Sequence, residues 1–224
     1  MIKIQPIVRE IVLGEIEAYF ALANNYMNMS SYAHRIKGAV ESRAKKQVTI
    51  TSLVVSLSRL RKEFKKTKPL IWDVPITNIT TKLPLSEVVY ENTQATLLGL
   101  ESLHKNISVD RDDFFTVTAG TAEIDIICSA NIESKVLKHF KTKPKIINHD
   151  LAAVGISYGS IVFGMPNVFF SLLSVTARAR INIEELVSTS TEFIIIVAEK
   201  DFSQTVALFS ELHRKVNKEK SINL

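Results

Sequence analysis

The sequence predicts an α+β chain: a helical head of the helix-turn-helix or winged-helix kind, followed by two ferredoxin-like β-α-β-β-α-β units. Three observations carry this expectation. Apolar residues in 1–66 recur every three to four positions, β-rich and helical runs alternate from about residue 76, and that second region repeats itself. Two hundred and twenty-four residues suffice for a sizeable core. The formal charge of +5 is uneven. Residues 1–70 carry 13 basic and 5 acidic side chains, a net +8; the remainder carries 15 against 18, a net −3. Such a split points to modules with different partners.

In the head, Ile4, Ile7, Val8, Ile11 and Val12 share a helical face that Gly14 punctuates. A second helix spans Glu15 to Asn25, with Ile16, Tyr19, Phe20 and Ala23 together. Asn28 or Ser30 caps a third, which buries Tyr32, Ala33, Ile36, Val40 and Ala44. After a polar connection, Lys45 to Thr49, Thr49 or Thr51 caps a fourth with Leu53, Val54, Leu57, Leu60 and Phe64 near one face. Helix, brief turn and helix with a basic end is the outline of a DNA-binding module. Its candidate nucleic-acid stripe is Ser52, Ser56, Arg59, Lys62 and Lys66, spaced by three and four. The same cations also read as a solvated last turn that complements the helix dipole.

Pro69 and Pro75 interrupt the pattern, so 67–75 reads as a linker or the beginning of a wing. Beyond it the expected elements are a strand at Ser86–Tyr90, a helix begun at Asn92 and running Gln94–His104, and strands at Asp113–Thr118 and Ile124–Ser129. A helix at Asn131–Phe140 and a strand at Ala152–Tyr158 follow. The last four are a helix at Asn167–Arg178, strands at Ile181–Ser188 and Phe193–Ala198, and a helix at Phe202–Val216. The tail, 217–224, is polar and expected to be flexible. Domains are therefore expected at 1–66, 76–150 and 151–216.

Laid on itself, the chain aligns Thr121 to Cys128 with Ser190 to Val197, and Asn131-Ile132 with Asp201-Phe202. Each copy places a hydroxyl-rich turn and a Glu before a buried strand, then an Asn or Asp as helix cap.

The second copy goes further. Ala153 to Gly159, then Pro166-Asn167-Val168, then Ile181-Asn-Ile-Glu-Glu-Leu186, then Ser190-Thr-Glu192 resembles the regulatory ACT domains of aspartokinases. In that family the corresponding runs are Pro-Gly-Val, Ile-Asn-Ile-Glu and Ser-Ser-Glu. Asn167 replaces the usual Gly, and Asn tolerates a left-handed backbone. Ile161 and Val162 make the loop more apolar than the family pattern. No counterpart of the catalytic Lys-Phe-Gly-Gly run exists in 1–75. The resemblance implies a non-enzymatic regulator: paired ACT domains, a homodimer, and an amino acid held between ACT units. Carried over residue by residue, the ligand set is Gly159, Gly164, Met165 and Asn167 in the loop. Asn182 and Glu184 come from the second strand, and Ser190, Thr191 and Glu192 from the turn. Glu184 also reads as a solvated strand residue. Three of seven glycines, Gly155, Gly159 and Gly164, crowd this stretch, where a backbone turns sharply or comes close to something.

Other chemistries find no support. Seven glycines spell neither a dinucleotide fingerprint nor a P-loop. The five histidines lack ligand spacing, and Asp110 to Asp113 lacks the Gly and trailing Glu of a calcium loop. Cys128 reads as a core residue and fits a reducing compartment. No cofactor, metal or membrane partner is expected, and a cytoplasmic location is. The leading expectation is an amino-acid-sensing regulator with DNA as possible partner of the head. The alternative is a regulatory subunit that docks on an enzyme and binds no DNA.

Overall fold

Local chemistry sets the helices of the head. In the computed structural model, which describes residues 3–67 and 70–222, α1 (Ile4–Leu13) stops at Gly14 and α2 (Ile16–Ala23) follows at once. Asn28 caps α3 (Met29–Ala44) by accepting from the Ser31 N–H at 3.0 Å. Thr49 caps α4 (Ile50–Phe64) in the same way. The α3 residues buried are Tyr32, Ala33, Ile36, Val40 and Ala44, as its periodicity predicts. They join Val8, Val12, Leu22, Leu53, Leu57 and Leu60 in one core. Residues 1–70 form one compact unit, and residues 71–224 form another. Pro69, part of the expected linker, lies outside the described residues.

The second unit is built on two long strands. β1 (Ile76–Glu91) and β4 (Ile146–Tyr158) pair antiparallel along most of their length, with register shifts near Pro84 and Asp150. β2 (Phe115–Ala119) and β3 (Glu123–Ser129) extend the sheet beside β1; β5 (Glu185–Ser188) and β6 (Glu192–Ala198) extend it beside β4. The order is β2-β3-β1-β4-β6-β5. Helices α5 (Gln94–Asn106) and α6 (Ala130–His139) cover the first half, α7 (Val168–Arg178) and α8 (Glu199–Ile222) the second.

These connections correct several expectations. Among the described residues no wing is formed, because β1 begins at Ile76 and enters the main sheet. The expected short strand at Ser86–Tyr90 is only its end. Two ferredoxin-like units are present, but they interleave. The first comprises the end of β1, α5, β2, β3, α6 and the start of β4. The second takes the rest of β4, α7, β5, β6 and α8, and borrows the start of β1 as its fourth strand. A boundary at residue 150 therefore falls inside one continuous strand. Thr93, not Asn92, caps α5, in a capping box with Thr96. Neither Asn131 nor Asp201 is a cap: both lie inside first turns, because α6 and α8 start directly from the ends of β3 and β6. Residues 181–184 are not strand. The helix expected to end at Val216 runs on to Ile222.

Alternation along the strands fills two clusters under the helices. Ile76, Val154, Ile156, Phe193, Ile195 and Val197 meet Leu172, Val175 and Phe209 of α7 and α8. Val88, Tyr90, Ile124, Ile126 and Cys128 meet Leu103, Ile132 and Val136 of α5 and α6. On the opposite, helix-free face Leu85, Ile127, Leu151, Ala153 and Ile196 are also buried. The Glu185 carboxylate of β5 acts on Asp125 of β3. Flat strands would separate those two by about 19 Å. The sheet is therefore curled, and its helix-free face is the concave one.

Candidate functional site

The loop after β4 builds the site. Gly159 leads into a 3₁₀ turn at Ser160–Val162. Gly164 then adopts φ +69°, a conformation side chains disfavour. Asn167 takes φ 66° immediately before α7, so the predicted left-handed tolerance is used. Its carbonyl accepts from the Ser171 N–H and hydroxyl, while no side chain caps the helix. Across from it the turn before β6 is pinned: Thr189 N–H donates to the Glu192 carbonyl, and Tyr158 N–H to that of Thr191.

Between loop, helix start and turn lies a cavity of about 340 Å³. Tyr158, Val162, Met165 and Val168 form its walls, and Phe163, Phe169 and Phe170 border it; Gly164, Asn167, Thr189 and Ser190 complete it. Phe163 remains 53% exposed and Phe169 44%, the latter stacked on Phe193 with ring centroids 5.0 Å apart. Burial pushes the Tyr158 hydroxyl above the usual phenol range. No Asp, Glu, Lys, Arg or His side chain lines this cavity. Its polar groups are hydroxyls, the Asn167 amide and backbone, which suit a small zwitterion or a neutral ligand.

Of the residues expected to hold a ligand, Gly164, Met165, Asn167 and Ser190 come together here. Gly159, Asn182, Glu184, Thr191 and Glu192 do not line the cavity. Asn182 and Glu184 are exposed and bonded to each other, amide to carboxylate, at 2.7 Å. Glu192 accepts from the Thr80 hydroxyl at 3.1 Å and shares the register of Ser157, on the helix-free face. Gly155 belongs to that face too: a Cβ there would meet Thr80 Oγ1, and Glu192 Oε1 at 2.7 Å. Nothing within 4 Å explains the glycine at 159. Sequence reasoning missed the aromatic border. Its signal was Val168-Phe169-Phe170, where a surface helix would carry polar residues.

In the head, the expected stripe is broken. Ser56 is 8% exposed and belongs to the packed side of α4, where Gln5 Nε2 donates to its carbonyl. Ser52 is half-buried and donates to the Thr49 carbonyl at 2.7 Å. Arg59, Lys62 and Lys66 are exposed, Lys66 beyond the helix end. A groove of about 570 Å³ is lined by Ser52, Ser56 and Arg59 of the stripe together with Lys3, Lys46, Thr49 and Thr51, whereas Lys62 and Lys66 lie outside it. Lys3 and Lys46 were not foreseen, because they come from other segments. Among the described residues no group of three His, Cys, Asp or Glu could hold a metal ion, and no helix is long and apolar enough to cross a membrane.

No family model and no curated protein matches the sequence. Solved structures do. The chain is 13% identical to a structure of aspartokinase alpha and beta subunits, with a TM-score of 0.50, covering 62% of this chain and 99% of that one. The ligand-free regulatory subunit of aspartate kinase from Thermus thermophilus gives the same identity and TM-score over 62% and 97%. Only the second unit is long enough to hold such a match. Its fold is that of an aspartate kinase regulatory region. The Clostridium acetobutylicum aspartate kinase is matched at 13% identity and a TM-score of 0.50, over 66% of this chain but 37% of that longer one. The regulatory-subunit likeness leaves the helical head without a counterpart.

Proposed function

We infer that the chain is a non-catalytic regulatory protein: a tandem ACT unit senses a small amino acid, and the helical head docks on a partner protein. One observation carries the sensing role. A cavity of amino-acid size opens between the Gly164–Asn167 loop, the uncapped start of α7 and the Ser190 turn. That is where the resemblance to aspartokinase ACT domains puts the effector. A carboxylate is favoured at such a helix start.

Protein docking is preferred to DNA for the head because Ser56 is 8% exposed and the Ser52 hydroxyl is engaged with the Thr49 carbonyl, which leaves Arg59, Lys62 and Lys66 as the exposed members of the stripe. Thermal unfolding with each of the twenty amino acids tests sensing. A ligand at a hundred times its dissociation constant adds about 2.7 kcal/mol of stability. No shift with any amino acid would overturn the sensing role. Salt-dependent DNA binding, weakened by Arg59→Ala with Lys62→Ala, would overturn the docking role.

A further inference from the structure

Resting on the sensing role of this cavity, we propose that its effector is an amino acid with an apolar side chain, leucine- or phenylalanine-like, and not a charged one. The lining decides the class. Val162, Met165, Val168 and the rings of Phe163, Phe169 and Phe170 present an aliphatic and aromatic surface to whatever enters. The polar side chains of the lining are Asn167 at the start of α7, Thr189 and Ser190 in the turn before β6, and Tyr158 at the end of β4. A zwitterionic head set there, its carboxylate toward the start of α7, leaves its side chain against the apolar wall.

A lysine side chain would bring an ammonium into a cavity without a carboxylate. Glu184, the acidic group the sequence offers, is turned to its own neighbour Asn182 and lies outside the lining. Glu192 is on the other face of the sheet. Aspartate or glutamate would find no cation among the lining residues. Removing either charge from water without a partner opposes binding. An aliphatic or aromatic side chain meets no such penalty. It also covers rings that stand half-exposed, Phe163 at 53% and Phe169 at 44%. Volume agrees: about 340 Å³ lies at the small end of ligand sites, enough for one amino acid but not for a dinucleotide.

The test is isothermal titration of the full chain with leucine, phenylalanine, threonine, lysine and aspartate. Leucine or phenylalanine should bind at least about tenfold more tightly than the other three, the discrimination that one or two buried methylenes provide. Phe163→Ala should weaken that binding about tenfold with the unfolding midpoint unchanged, since the ring is largely exposed. Met165→Glu should weaken leucine and admit lysine. Lysine, aspartate or threonine binding more tightly than both apolar ligands would overturn the proposal while leaving sensing intact. Failure of all five to bind would overturn the proposal, and sensing itself would fall only if the screen of all twenty amino acids were also blank. Leucine binding unaffected by Phe163→Ala and Met165→Glu would place the ligand elsewhere and overturn the assignment to this cavity.

Discussion

Asp125 sits on β3 between two core isoleucines, with its carboxylate on the concave face. Burial, then Glu87, Glu185 and Glu123, push its pKa up to about 7. One carboxylate oxygen is buried without a hydrogen-bond partner. The native chain therefore binds a proton that the unfolded chain, with a carboxyl near 3.8, gives up. The resulting stability is present in full below the unfolded value and is lost as pH rises through about 7. Fluorimetric unfolding from pH 4 to pH 8 should show that decline. Asp125→Asn should flatten it, raising the midpoint at pH 8 and changing little at pH 4.5. The residue could be named from the sequence only as the polar member of an apolar strand. Its neighbour Glu87 comes from the adjoining strand β1 and Glu185 from β5, which the curl brings near, and no spacing announces either. Asn167 is the opposite case: Pro-Asn-Val before a helix states its backbone conformation outright.

The head was the more legible part at the level of elements. Caps and periodicity located all four of its helices, because each depends on residues within a few positions of itself. β1 was seen only in part. Residues 76–82 read as polar because Asn78, Thr80 and Lys82 face away from the helices, and Pro84 interrupts the run. Only pairing with β4 makes them strand. That pairing yields a sharp expectation. A fragment of residues 71–224 retains every strand of the sheet and should fold, with a cooperative melt and the circular dichroism of a mixed α/β protein. A fragment of residues 85–224 lacks the strand that flanks β4 in the second copy. It should be aggregated or molten.

For the whole molecule, the +5 charge conceals a cationic head and a slightly acidic sensor, and the two compact units divide at the same place. The second unit leaves Ile161, in the 3₁₀ turn after β4 and outside the cavity lining, 74% exposed. Light scattering should return twice the 25.1 kDa chain mass, as expected for a homodimer. Ile161→Asp, at a position that packs against nothing essential, should restore the single-chain mass. A monomer before substitution would refute self-association. A helical head, a ferredoxin-like second unit and the loop that borders the cavity were readable from the sequence; the helix-turn-helix character expected of the head is not shown. The cavity's uncharged lining was not, since the turn before β6 sets Thr189 and Ser190 against the loop while Glu184 and Glu192 stay outside.

The borrowed strand has a consequence for how the chain is made. Ile76 is synthesised long before Tyr158, its partner in the sheet. The first copy closes once the start of β4 has emerged, but the second must keep the beginning of β1 available until its own strands exist. Pairings so distant in sequence slow folding. During that wait the start of β1 is an open edge. Its polar face, Asn78, Thr80 and Lys82, and Thr81 beside Ile79 on the other, make it a poor template for a passing strand, and the same polarity that hid β1 from the sequence pattern protects it while the chain is incomplete.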